Sequence, residues 1–77
     1  MSERIKEEIK RLERRMEWKQ EELDKAVERF RESAATYSAY DIETFVPGMI
    51  GDIAKLRATM SELAEQKSML EYLLDQQ

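Results

Sequence analysis

The residues that this sequence lacks exclude several kinds of chemistry. It contains no cysteine and no histidine, which excludes a disulfide framework, a thiolate nucleophile and the commonest metal ligand. It has one proline and two glycines among its 77 residues, so most of the chain is free of helix breakers. It also lacks a run of about 18 apolar residues, the length that would predict a membrane-spanning helix.

Charged residues make up 39% of the chain, and the net charge is -4. This acidic balance makes nucleic acid an unlikely partner in spite of a small arginine cluster. Phosphate-binding loops, nucleophile elbows and metal-ligand motifs are absent, so we expect no enzyme activity, no cofactor and no metal. The segment 1–10 alternates in charge and lacks the apolar core of a secretory signal. A cytoplasmic protein is therefore expected.

The most informative feature is an apolar stripe in the second half, with alternating steps of four and three residues. Such a heptad pattern predicts a helix that packs along another helix at a shallow angle. Its members are Ile42, Val46, Met49, Ile53, Leu56, Met60, Leu63, Lys67, Leu70 and Leu74. A matching stripe in the first half consists of Ile5, Ile9, Leu12, Met16, Lys19, Leu23, Val27, Phe30, Ala34 and Tyr37.

Together the two stripes predict an all-α fold, an antiparallel two-helix hairpin that forms a single domain over residues 1–77. We expect the first helix at about residues 2–37 and the second at about 47–75. The connection between them is then expected at about residues 38–46, where Ser, Thr and Tyr cluster and charged residues become sparse.

Two details of the hairpin follow from the same pattern. Asp41 or Thr44 could cap the second helix, and Thr44 is preferred, because Pro47 then falls in the first turn, where its missing N–H has no helical acceptor. When the stripes are laid antiparallel, their members pair at residue numbers that sum to 86. This register sets Tyr37 against Met49.

The second helix carries more apolar and small residues than a single neighbouring helix can cover. We therefore expect the hairpin to dimerise into a four-helix bundle with the second helices at its centre. The alternative is that these residues are scattered surface positions. The candidate oligomer interface consists of Ile50, Ala54, Ala58, Ser61, Met69, Tyr72 and Leu73.

One lysine interrupts each stripe, and the register sets Lys19 against Lys67. A polar layer inside a helical bundle can fix register and oligomeric state. Alternatively, both lysines bury their stems and extend their ammonium groups to solvent at the edge of the seam. The second interpretation is preferred.

Trp18, beside Arg14 and Arg15, is the first of two candidate protein-binding regions. An exposed tryptophan next to arginine is typical of binding hot spots, although a local cation–π contact or coverage by a second copy would also account for it. Tyr40 and Phe45, at the hairpin tip, form the other region. The tip is either a recognition element or an end-cap of the core.

These features predict a non-catalytic protein–protein interaction module, an adaptor or inhibitor that acts as a homodimeric hairpin. Its partners are then a second copy of itself and an unidentified protein. Small size and the lack of a recognisable motif would suit a phage or mobile-element protein. The alternative is a structural unit that functions only by oligomerising. Nucleic-acid association is a third, less favoured possibility.

Overall fold

A computed structural model describes residues 2–77 as two long helices. Helix α1 spans Ser2–Ala34 and helix α2 spans Ala39–Asp75. The connection is only four residues long, so the helices run antiparallel and contact each other. The all-helical hairpin is thus confirmed, and residues 2–77 contain no strand.

The hairpin is a rod in which each helix has only one neighbour. Its Cα dimensions are 57 × 15 × 12 Å, with a radius of gyration of 17.5 Å. A compact chain of this length would have a radius of gyration of about 11.5 Å. Among residues 2–77, only Leu12 and Leu63 are buried, with 7% and 2% of their surface exposed. The core is therefore a single narrow seam.

The two apolar stripes form this seam. Every member of the first stripe is buried or half-buried, including Lys19. The same holds for the second stripe except at Ile42, which is 48% exposed. In the register that pairs residue numbers summing to 86, the position opposite Ile42 is residue 44, which lies on α2 itself. Ile42 therefore has no α1 residue to pack against.

Helix α2 begins earlier than the sequence analysis predicted, because Ser38 and not Thr44 is its N-cap. The Asp41 backbone N–H donates to the Ser38 hydroxyl oxygen at 3.2 Å, and the Ser38 N–H donates to the Asp41 carboxylate at 3.2 Å. This reciprocal capping box satisfies two backbone donors that a helix start leaves free. Residues 39–46, expected in the connection, are consequently helical.

Pro47 lies inside α2 instead of in its first turn. A proline at this depth removes one helical hydrogen bond, because it has no N–H to donate to the carbonyl of Glu43. Both Glu43 and Pro47 are exposed, so water can satisfy that carbonyl. The helix therefore continues through the proline without burying an unpaired group.

Helix α1 ends at Ala34, three residues before the predicted end. The chain leaves it through a tight turn, in which the Thr36 N–H donates to the Ser33 carbonyl at 3.0 Å. The Thr36 hydroxyl donates to the same carbonyl at 3.1 Å. Tyr37, which continues the first stripe, thus lies in the connection and not on the helix.

Candidate protein-binding surfaces

The side chain of Lys19 follows the edge-of-seam interpretation. Its ammonium nitrogen lies 3.4 Å from a carboxylate oxygen of Glu22, one turn along the same helix. The two side chains are 33% and 41% exposed. Lys67 is half-buried and lines a hollow with Glu13 and Glu17. The ammonium group of Lys19 is therefore directed along α1 towards solvent.

The aromatic residues at the hairpin tip divide into two kinds. Tyr37 is half-buried, and its ring centroid lies 5.9 Å from that of Phe45 at an interplanar angle of 42°. Phe45 is 50% exposed and Tyr40 is 73% exposed. A Cβ added at Gly48 or Gly51 would meet no atom within 4 Å, so neither glycine makes room for a packed ring. Tyr37 and Phe45 close the seam, whereas Tyr40 projects from it.

Exposed apolar surface is concentrated on α2. Of the eight large apolar side chains that are exposed in residues 2–77, Trp18 lies on α1 and the other seven lie on α2. The outer face of α1, which is polar except at Trp18, is thus paired with a helix that is apolar on several sides. A wide apolar surface of this kind is typical of a helix that packs against more than one neighbour.

The candidate oligomer residues separate into two surfaces. The first, which we call the outer stripe, recurs at helical spacing on the face of α2 turned away from α1. All its members are exposed, with Ile50 at 55% and Tyr72 at 65%. The outer stripe consists of Ile50, Ala54, Ala58, Ser61 and Tyr72.

The second surface is a groove between the two helices near their open end. Met69 and Leu73 line this groove, and Met69 also lines a hollow with Ser61 of the outer stripe. The groove has a volume of about 420 Å³ and a mainly apolar lining. We call it the open-end groove, and its lining residues are Glu8, Arg11, Leu12, Arg15, Gln66, Met69, Leu70 and Leu73.

One rim of the open-end groove is basic. Arg11 and Arg15 line it directly, and Arg4, Lys10 and Arg14 line the adjoining hollow on α1. The carboxylates among these lining residues are Glu7 and Glu8. The lining of the groove itself contains two arginines and one glutamate, a local charge of +1, against -4 for the whole chain. The α1 rim of the open-end groove is thus mildly basic on an acidic protein.

The carboxylates expected to neutralise the arginine cluster do so only in part. Glu8 approaches Arg11, with a carboxylate oxygen 3.3 Å from a guanidinium nitrogen. Glu13 and Glu17 line one hollow with Lys67 and another with Lys10 and Arg14, and neither lines the open-end groove. They therefore lie beside Lys10 and Arg14 but away from Arg11 and Arg15, a separation that their alternation in sequence does not show.

Trp18 extends the basic rim along α1. It lies three residues after Arg15 and seven after Arg11, spacings that place all three on one side of a helix. The tryptophan side chain is 68% exposed, and Arg14 and Arg15 are exposed beside it. The structure thus places the predicted Trp18 region next to the open-end groove, which the sequence analysis did not identify.

Comparisons with known proteins do not place the chain in a group: no family model, curated protein or solved structure matches it. In residues 2–77, neither helix is long and apolar enough to cross a membrane. Nor does that part of the chain bring three carboxylates together as a metal site. The two apolar surfaces and the basic rim are therefore the features on which a function can be argued.

Proposed function

We propose that this chain is a non-catalytic protein–protein interaction module that works as a homodimer of hairpins. The observation that carries this proposal is the concentration of exposed apolar side chains on α2. Packing the outer stripes of two copies together would give each α2 a second helical neighbour. The product is a four-helix bundle with the α2 helices at its centre.

The exposed area of the hairpin supports this assembly. The chain exposes 6302 Å², whereas a compact monomer of 9.2 kDa would expose about 4,900 Å². The difference is about 1,400 Å², and a standard interface covers about 800 Å² on each partner. A single hairpin thus leaves enough surplus surface for one interface of ordinary size.

The composition of the outer stripe favours antiparallel packing of two copies. Ala54, Ala58 and Ser61 are small, and small residues at helical spacing allow two helix backbones to approach closely. If Ala58 faces Ser61 of a second copy, Lys55 comes within one turn of Glu62 of that copy. The same pair then forms twice, as two-fold symmetry requires.

Sedimentation of the purified chain tests the dimer. We expect the natural sequence to sediment with the mass of two copies. Ala58→Arg should sediment with the mass of one copy, because an arginine on the outer stripe blocks the close approach of two α2 helices. Ala35→Arg is the matched control, since Ala35 is exposed in the connection. Full helicity in both variants separates a broken interface from a broken fold. A natural chain that sediments as a helical monomer at high concentration contradicts the proposal.

The dimer leaves other surfaces free for a protein partner. Trp18 and the tip residues Tyr40 and Phe45 are each at least half exposed, and none belongs to the outer stripe. Tryptophan, tyrosine and arginine are the residues that most often dominate binding energy. A chain of this kind suits an adaptor or an inhibitor, which acts by occupying the surface of another protein.

A structural assembly unit is the second candidate, because α2 carries two separate apolar surfaces. If copies associate through both the outer stripe and the open-end groove, the assembly has no natural end. A series of higher masses that grows with concentration would favour this scaffold. A closed dimer with an accessible Trp18 favours the interaction module.

A further inference from the structure

We propose that the open-end groove binds an amphipathic helix that carries acidic residues along the edges of its apolar face. This inference rests on the proposed function only in that the chain acts by binding a protein. It concerns a surface centred on the groove between the helices, which adjoins the outer stripe only at Met69. The groove combines an apolar floor, flexible apolar walls and a basic rim, and each part specifies one property of the bound segment.

The floor and walls indicate an apolar anchor of about two helical turns. Leu12 is 7% exposed, while Met69 and Leu73 are 67% and 48% exposed. Lining residues 8–15 on α1 and 66–73 on α2 each extend along the groove for about 10 Å, which is roughly two turns of a bound helix. Residues spaced i, i+3, i+4 and i+7 on that helix would enter the groove. Met69 can adapt its shape to such side chains.

The shallowness of the groove favours a helix over a small molecule. Small-molecule sites typically bury at least about 70% of the ligand surface. Here Met69 and Leu73, which form a wall, are themselves about half exposed or more. A helix is better suited, because it needs cover on one face only and satisfies its own backbone hydrogen bonds.

The basic rim specifies the charge of the partner. Arg11 and Arg15 lie one turn apart on α1, at the spacing of carboxylates on one face of a facing helix. Trp18 continues the same side, where it can cover the next turn of the bound segment. The lining of the groove on α2 contributes Gln66 but no carboxylate. The rim would therefore attract acidic residues at the edge of the partner's apolar face and repel basic residues there.

The probe for this proposal is a labelled peptide of roughly 18 residues, long enough to form a marginal helix in water. It carries leucines at i, i+3, i+4 and i+7, with glutamates along both edges of this apolar face. A second peptide has lysines in place of the glutamates. Fluorescence anisotropy measures binding, and the emission of Trp18, the only tryptophan, reports whether the peptide lies beside it.

We expect the natural chain to bind the acidic peptide at least about tenfold more tightly than the basic one, as two or three charge contacts would give. The Trp18 emission should shift on binding. Arg11→Glu with Arg15→Glu should reverse the preference. Leu73→Asp and, separately, Met69→Asp should weaken acidic-peptide binding by at least about tenfold. Both residues are at least 48% exposed, and circular dichroism confirms that each variant keeps its helices.

Two controls separate this groove from general effects. Arg29→Glu with Arg31→Glu makes the same charge change about 25 Å further along α1 and should leave peptide binding unchanged. Ile50→Asp alters the outer stripe and should lower the sedimenting mass while peptide binding persists. A chain that fails to dimerise yet binds the acidic peptide would contradict the proposed dimer and leave the groove proposal standing.

Three results would overturn the groove proposal. The first is equal affinity for the acidic and basic peptides, and the second is acidic-peptide binding that survives both Leu73→Asp and Met69→Asp. The third is tight binding of a single-stranded DNA oligonucleotide that Arg11→Glu with Arg15→Glu abolishes and Leu73→Asp leaves intact. That last pattern would identify the basic rim as a nucleic-acid surface.

Discussion

The Tyr37 hydroxyl lies 3.9 Å from the sulfur of Met49, at the tip of the hairpin. These residue numbers sum to 86, the register that the two apolar stripes predict. A slip of one heptad would set Tyr37 against Ile42 or Leu56 instead. The contact therefore agrees with the predicted register where the connection meets α2, and the ring of Phe45 packs beside Tyr37.

Tyr37→Ala should destabilise the hairpin by about 1–3 kcal/mol, the usual loss for a large, partly buried aromatic side chain. Tyr40→Ala is the matched control, because Tyr40 is 73% exposed and should change stability by about 0.5 kcal/mol or less. Urea unfolding followed by circular dichroism measures both. Equal losses in the two variants would mean that the Tyr37–Met49 contact does not hold the tip.

The sequence predicted the seam well, because a heptad pattern depends only on helix geometry. It failed at Ile42, since a stripe on one helix does not show where the facing helix ends. It also misplaced the start of α2, because Pro47 suggested a first turn while Ser38 and Asp41 offered a better cap. Two backbone donors satisfied by the capping box outweigh the single hydrogen bond lost at Pro47.

The candidate surfaces were only partly predictable. Exposure of Trp18 followed from its polar helical neighbours. The position of Met69 and Leu73 in a groove beside Arg11 did not follow, because it depends on which side of α2 faces the side of α1 that carries Arg11. A helical wheel of one helix does not show how the other helix is oriented. The groove could therefore be identified only with both helices in place.

Ser38→Ala should reduce the free energy of unfolding by about 1 kcal/mol, because it removes the side chain that caps α2. Thr44→Ala is the control, since Thr44 lies exposed inside the helix. There alanine is the better helix former, by about 0.5 kcal/mol. In thermal unfolding, Ser38→Ala should therefore show a lower melting temperature than the natural chain, and Thr44→Ala a slightly higher one. The opposite order would return the cap to Thr44.

Gly48→Ala should stabilise the hairpin by about 0.5–1 kcal/mol, since glycine inside a helix loses more backbone entropy than alanine. Neither glycine has a positive φ angle, and an added methyl group at Gly48 meets nothing within 4 Å. Urea unfolding measures the gain. Destabilisation by this substitution would contradict the open space that the structure shows beside Gly48.

Leu63→Ala should be the most damaging single truncation of the seam. Leu63 is 2% exposed, and burial of this kind makes a leucine-to-alanine change cost about 2–5 kcal/mol. We expect the lower part of that range, because a two-helix rod can collapse partly into the gap. Leu73→Ala is the matched control on the same helix, at 48% exposure, and should cost less than about 1.5 kcal/mol. Urea unfolding of both variants at one protein concentration makes the comparison, since dimerisation would make stability depend on concentration. Similar losses would place Leu73 in an interface between copies and contradict a free open-end groove.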